Sequence, residues 1–107
     1  MQQFPWGTME WIAAASLGNT SDVSVAKMVL QAGQDSPRHF HPNCDEVLHL
    51  VAGSVELFTD KDELSCLKAG DSAVLPQGLS HALRNPSNQD AVILISYASG
   101  CRKYQQL

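Results

Sequence analysis

With 107 residues, the chain is long enough for one domain with a hydrophobic core and too short for two. Hydrophobic residues make up 44 % and charged residues 17 % of the sequence, a balance that is typical of a globular protein and argues against disorder. The net charge is −4, and the seven Lys and Arg residues are scattered, so no basic stripe is available to bind nucleic acid.

The three cysteines, Cys44, Cys66 and Cys101, are odd in number and widely spaced. This spacing argues against a disulfide framework and against a cysteine-based zinc site. The first six residues contain no basic segment followed by an apolar run, and no stretch approaches the ~20 apolar residues of a membrane helix. We therefore expect a cytoplasmic protein with no membrane partner.

Two strands are expected in the first third of the chain. Residues 23–31 are rich in β-branched and apolar side chains, and a shorter strand is expected near 9–15, followed by a polar loop over 18–22. Because Lys27 occupies one face of the second strand, the opposite face should look inward. Met28 on that inward face either lines a pocket or fills the core.

The stretch 33–53 places two imidazoles and a carboxylate within eight positions. Side chains alternate along a strand, so His39 and His41 share one face, with their Cβ atoms about 6.5 to 7 Å apart, and both rings can reach one ion. Pro42-Asn43 favours a turn, which would bring Glu46 alongside the two rings. We interpret this stretch as half of a metal site.

Alternation continues beyond the carboxylate. Starting from Glu46, it directs Leu48 and Leu50 toward the ion and His49 to the other face. His49 is therefore predicted to be a packing residue and not a ligand.

The second half of the chain reads as short strands joined by turns. We expect strands at 54–59, 63–68, 72–75, 80–84 and 91–98, turns at 60–62 and 69–71, a loop at 85–90 and a polar tail at 100–107. The segment 91–98 is the most apolar run in the chain, so it should be buried on both faces or paired with a partner subunit.

A fourth ligand is expected from the stretch 70–85. Pro76 and Gly78 form a bend that aims His81 inward, whereas Arg84 falls on the opposite face and should form a salt link outside the pocket. Apart from Glu46, no acid is placed inside the cavity by alternation, so a separate general acid or base has no obvious candidate.

Together the two stretches resemble the cupin family. Residues 33–53 fit its pattern of Gly, five residues, His-x-His, four residues, Glu, six residues, Gly, and residues 70–85 fit Gly, five residues, Pro-x-Gly, two residues, His, three residues, Asn. The resemblance implies an all-β fold, a double-stranded β-helix or jelly-roll-like barrel, formed by one domain over 1–107. It also implies one divalent metal held by His39, His41, Glu46 and His81.

Imidazole and carboxylate ligands suit Fe, Mn, Ni, Co, Cu or Zn, and the sequence does not choose among these metals. Four protein ligands leave one or two positions open for a substrate or dioxygen. We interpret the protein as a metal-dependent enzyme that acts on a small, partly hydrophobic organic molecule by dioxygenase or isomerase chemistry. The alternatives are a non-catalytic ligand-binding or sensing module and a structural protein with a vestigial site.

A homodimer is predicted from the small size of the chain, the apolar strand 91–98 and the two tryptophans. Trp6 and Trp11 either cover the barrel mouth, pack across a dimer interface or fill the end of the barrel. Tyr97 either offers its hydroxyl to the cavity or is structural.

Overall fold

The computed structural model describes residues 1–19, 22–60 and 63–107. The described chain is almost entirely β-structure, with one short 3-10 turn at Ala15–Leu17. Its eleven strands are β1 (Gln2–Phe4), β2 (Gly7–Ala13), β3 (Ser24–Leu30), β4 (His39–Phe40), β5 (Glu46–Ala52), β6 (Ser54–Thr59), β7 (Leu64–Lys68), β8 (Ser72–Leu75), β9 (His81–Arg84), β10 (Ala91–Tyr97) and β11 (Gln105–Gln106).

The strands form two antiparallel sheets that face each other. One sheet has six strands in the order β1-β2-β3-β10-β5-β8, and the other has five in the order β11-β4-β9-β6-β7. This arrangement confirms the predicted double-stranded β-helix. No helix in the described part of the chain is both long enough and apolar enough to cross a membrane.

Strict alternation of buried and exposed side chains shapes the core. In β5, Leu48 and Leu50 are buried between the sheets while His49 lies outside, as predicted from their spacing. β10 follows the same rule, since Ile93 and Ile95 are buried and Leu94 is 40 % exposed. Within this chain the prediction that 91–98 is buried on both faces is therefore wrong, because β10 is a central strand with only one face on the core.

The predicted strand boundaries agree with the structure to within one or two residues, except at the two ends of the chain. The strand expected near 9–15 spans 7–13, and the small residues after it form the 3-10 turn. The polar tail at 100–107 contains β11, which pairs with β4 and completes the second sheet. The turn predicted at 60–62 includes Lys61 and Asp62, which lie outside the described residues.

Gly53 shows why a glycine occupies the end of the first motif. Its φ is +81°, and a Cβ atom at this position would lie 2.9 Å from the backbone oxygen of Asp90. The turn between β5 and β6 therefore needs both the left-handed backbone and the missing side chain. This close approach packs the turn against the segment that enters β10.

Candidate metal centre

Four side chains from three separate segments of the chain meet between the two sheets. Glu46 begins β5 in the six-stranded sheet, while His39 in β4 pairs directly with His81 in β9 of the other sheet. His41 follows β4 and is buried. One ligand atom from each of the four residues lies within 4.8 Å of the others. The fold thus brings together the whole predicted ligand set.

The spacing of these atoms matches a coordination sphere. Glu46 Oε1 lies 2.9 Å from His41 Nε2 and 3.3 Å from His81 Nε2. For metal bonds of about 2.1 Å, neighbouring ligands of an octahedral ion are separated by about 3.0 Å. The carboxylate oxygen and the two ring nitrogens are therefore already placed as adjacent ligands.

Backbone carbonyl groups select the nitrogen that each histidine presents. The Nδ1 atoms of His39, His41 and His81 lie 2.8, 2.7 and 3.0 Å from the carbonyl oxygens of Pro37, Lys103 and Leu79, respectively. An Nδ1–H that donates to a carbonyl leaves Nε2 with a free lone pair, which is the usual outer-shell arrangement of a metal-binding histidine. All three rings consequently turn Nε2 toward the common centre.

Three of the converging atoms are buried without a hydrogen-bond partner among the described residues: His41 Nε2, Glu46 Oε1 and His81 Nε2. With the rings in the tautomer just described, each pair of facing atoms carries only lone pairs, so a cation or extra protons must lie between them. A single divalent ion would satisfy all three atoms at once, whereas an empty site would leave buried polar groups at considerable cost. The cluster is able to bind a divalent transition metal.

The sequence profile described as "Cupin domain" matches residues 26–97. The chain belongs to the cupin family. Among curated proteins, it is 34 % identical over 85 residues to germin-like protein subfamily 3 member 3 of Arabidopsis thaliana. That alignment covers 76 % of this chain but 40 % of the relative, so the cupin described here spans about two fifths of the length of that protein.

Two solved structures show the same fold. An oxalate oxidase structure superposes with a TM-score of 0.87 at 23 % identity, covering 97 % of this chain and 57 % of the other. The oxalate decarboxylase of Lactobacillus farciminis, crystallised with formate, gives a TM-score of 0.90 at 20 % identity, covering 99 % and 32 %. At these identities the likeness concerns the fold alone.

The electrostatics of this cupin site favour the ligating forms of His39 and Glu46. Burial, helped by the nearby His81, lowers the pKa of His39 from 6.5 to about 4, so its ring is neutral at pH 7. Burial alone would raise the pKa of Glu46, but the interactions of its carboxylate with the nearby His41 and His81 rings outweigh burial and lower the pKa to about 2. A neutral ring and an ionised carboxylate are the forms that bind metals.

These shifts predict that the metal-free protein loses stability in acid. The folded-state pKa of His39, about 4, lies below its ordinary 6.5, so its contribution is complete above pH 6.5 and is lost as the pH falls through 4. Glu46 adds a second loss between pH 4.5 and 2. Using 1.36 kcal/mol per pKa unit, the His39 contribution is about 3 kcal/mol.

Urea unfolding of chelator-treated protein at pH 7, 5.5 and 4 measures this loss. Replacing His39 by Gln should flatten the part of the profile between pH 6.5 and 4. Equal free energies of unfolding at pH 7 and pH 4 in the unmodified chain would contradict the prediction.

A cavity of about 640 Å³ adjoins the cluster, and His39, Glu46 and His81 form part of its wall. Most of the remaining wall is apolar or aromatic, from Phe4, Pro5, Trp6, Met9, Met28, Leu83, Ile95, Tyr97 and Tyr104. Met28 and Tyr97 thus line the cavity, which is one of the two positions that the sequence left open for each of them. Leu48 and Leu50 lie in the core cluster and not on the cavity wall.

The remaining candidates lie where alternation placed them. His49 lies on the outer face of β5, as alternation predicted, and hydrogen-bonds the Ser72 hydroxyl at 2.8 Å, but it is exposed there. Its predicted packing role is therefore wrong within this chain, because this face of β5 is turned to solvent. Arg84 is within 4 Å of carboxylates of Asp35 and Glu56, outside the barrel. Cys44 is a buried thiol whose pKa is raised by burial and then by the Glu46 carboxylate, so it stays protonated.

The tryptophans have separate positions. Trp6 stacks on Phe4 at 4.6 Å between ring centres, and both line the cavity. Trp11 packs near Tyr97, with ring centres 5.8 Å apart. Of the two tryptophans, Trp6 therefore belongs to the wall of the large cavity, and Trp11 does not.

Sequence reasoning missed the contribution of the C-terminal segment. Tyr104 stacks on the His39 ring at 4.6 Å, and the Lys103 carbonyl orients His41. Arg102, Tyr104 and Gln106 all line the cavity. These three residues are spaced two apart, as residues on one face of a strand are. The polarity of the segment nevertheless made it look like an unstructured tail.

Proposed function

We propose that this cupin holds one divalent transition metal through His39, His41, Glu46 and His81 and acts as a metal-dependent enzyme on a small organic molecule. The proposal rests on one observation: buried ligand atoms without partners adjoin a large, mostly apolar cavity. Four protein ligands leave coordination positions for a substrate or dioxygen. A bound ion at this place would polarise a substrate oxygen or bind O₂.

The cavity suggests what kind of molecule enters. Its volume of about 640 Å³ falls within the usual 300–1,000 Å³ range of small-molecule sites. Oxalate, named in the titles of the two similar structures, has no apolar body that could use such a wall. A larger, partly hydrophobic substrate such as a phenol, diketone or keto acid fits better.

The chemistry that fits is metal-centred oxygenation or isomerisation. Within the described cavity wall, the carboxylate other than Glu46 belongs to Asp35, which is exposed and lies 3.8 Å from Arg84. Burial and the nearby Glu46 charge raise the pKa of Tyr97, so its hydroxyl stays protonated and can donate but cannot act as a base. Decarboxylation that depends on a second carboxylate lacks a suitable group.

The test combines metal loading with turnover. Protein loaded with Fe(II), Mn(II) or Ni(II) is incubated with phenols, diketones and keto acids while oxygen uptake and substrate loss are followed. We expect turnover with at least one metal, and none with metal-free protein or with His41→Ala, which removes a buried ligand. Turnover that survives in both controls would contradict the proposal.

A second candidate is a ligand-binding module in which the metal fixes a molecule without converting it. The shortage of proton-transfer groups in the described cavity favours this candidate. It predicts metal-dependent binding without product in the same experiment. A vestigial site would instead leave every measurable property intact in His41→Ala.

We also propose that the cupin is a homodimer. The outer face of the six-stranded sheet carries exposed apolar residues on adjacent strands, among them Val47, Val74 and Leu94. Pairing of two such faces would remove apolar surface from water. A monomeric mass by light scattering at micromolar concentration would refute the homodimer. The cytoplasmic location is a separate expectation and stays a prediction.

A further inference from the structure

Arg102 is the one cation among the described residues that line the cavity. Its side chain is partly buried, and no hydrogen bond or ion pair joins it to any described residue. Its Nε atom is buried and has no partner. A buried guanidinium N–H without an acceptor is costly to keep, because it has lost water without gaining a hydrogen-bond partner.

Three aromatic rings hold this guanidinium group in place. Its Cζ atom lies 5.1 Å from the ring centre of Trp11, 5.2 Å from that of Tyr97 and 5.3 Å from that of Tyr104. Cation–π contacts of this kind orient the planar group without using its N–H donors. The donors therefore remain available to a ligand.

The same two tyrosines connect Arg102 with the metal cluster. Tyr97 meets the His41 ring edge-on with 5.0 Å between ring centres, and Tyr104 stacks on His39 at 4.6 Å. Arg102 is thus separated from the metal-binding histidines by one aromatic ring. A ligand that reaches both must have its anionic end and its metal-binding end about one ring apart.

We propose that Arg102 binds the carboxylate of the ligand, whose body occupies the apolar cavity and whose second oxygen faces the metal cluster. The proposal rests on the function proposed above and adds the substrate class: a ring-sized organic acid with an oxygen donor at its far end. A single guanidinium fork matches a single carboxylate. A phosphate ester fits less well, because the described wall offers no second cation and already carries Glu46 and Asp35.

The test compares acids with their neutral amides. The probes are 4-hydroxybenzoate and 4-hydroxyphenylacetate, each paired with its primary amide, and binding is measured by calorimetry to metal-free and zinc-loaded protein. We expect the unmodified chain to prefer each acid by at least tenfold, and Arg102→Gln to abolish that preference. Arg102→Lys should keep only part of it, because an ammonium group lacks the bidentate fork.

Zinc content is measured in every variant and should not change in Arg102→Gln. If the metal assignment fails, the preference for acids in the metal-free protein still reports on Arg102. Equal affinities for acids and amides, including absence of binding by both, would overturn the inference.

Arg102 also lines a smaller cavity of about 140 Å³. A variant in this smaller cavity tests in which of the two cavities the carboxylate binds. Ser24 lines this cavity, and its hydroxyl, like Arg102 Nε, is buried without a partner among the described residues. Ser24→Ala should leave the affinity for the acids unchanged. A loss comparable to that of Arg102→Gln would place the carboxylate in the small cavity and overturn the assignment to the large one.

Discussion

Replacing His81 by alanine is expected to remove most of the bound metal while leaving the barrel folded. His81 Nε2 is buried 3.3 Å from Glu46 Oε1 without a hydrogen-bond partner among the described residues. Losing an outer-shell partner of a metal ligand already costs 10- to 100-fold in affinity, and losing a ligand should cost more. The metal-free variant should unfold within about 1 kcal/mol of the metal-free parent, because the imidazole lacks a partner on its metal side.

Elemental analysis after purification and a thermal melt with and without added metal measure these two effects. Metal bound only by the folded state stabilises it by mass action, so the parent should melt higher with metal and His81→Ala should not. His49→Ala is the matched control, because His49 is exposed on the outer face of β5 and bonds only Ser72 among the described residues. Full metal occupancy in His81→Ala would contradict the ligand set.

Replacing Asn85 by alanine is expected to lower the free energy of unfolding by about 3 kcal/mol, since several buried hydrogen bonds are lost together. Asn85 is completely buried. Its amide nitrogen donates to the Leu30 and Gln89 carbonyls at 3.0 and 2.8 Å, and its side-chain oxygen accepts from the Ser87 backbone N–H and hydroxyl. The last residue of the second motif therefore ties the loop before β10 to the end of β3.

For a chain of this length, that loss corresponds to a fall in melting temperature of roughly 12 to 24 °C. Asn88→Ala is the matched control, because Asn88 is exposed in the same loop. The two variants should differ in urea unfolding midpoint but not in metal content. A change in Asn85→Ala no larger than that of the control would show that the buried amide is dispensable.

Much of the site followed from local spacing. Alternation in β5 decides that Glu46 points inward and His49 outward, and this depends only on the geometry of a strand. The fourth ligand needed more, because nothing local joins His81 to His39. The resemblance to a family pattern supplied that link, and the direct pairing of β4 with β9 accounts for it physically.

The contribution of the tail could not be anticipated from local pattern. β4 and β11 have two residues each, too few for a periodic signal, and their pairing joins positions 65 residues apart. Tyr104 and Arg102 reach the cavity only because β11 closes the edge of the five-stranded sheet. A polar segment gives no sign of such a partner until the sheet is assembled.

Residue spacing and the family pattern thus sufficed for the fold class, the inward faces of the longer strands and the residue types at the candidate metal site. The size of the cavity, the carbonyl groups that orient the three histidines and the position of Arg102 beside the cavity became visible only in the assembled barrel. Alternation relates neighbouring residues of one strand, whereas a cavity wall is made by segments that are distant in sequence and meet only when both sheets are closed.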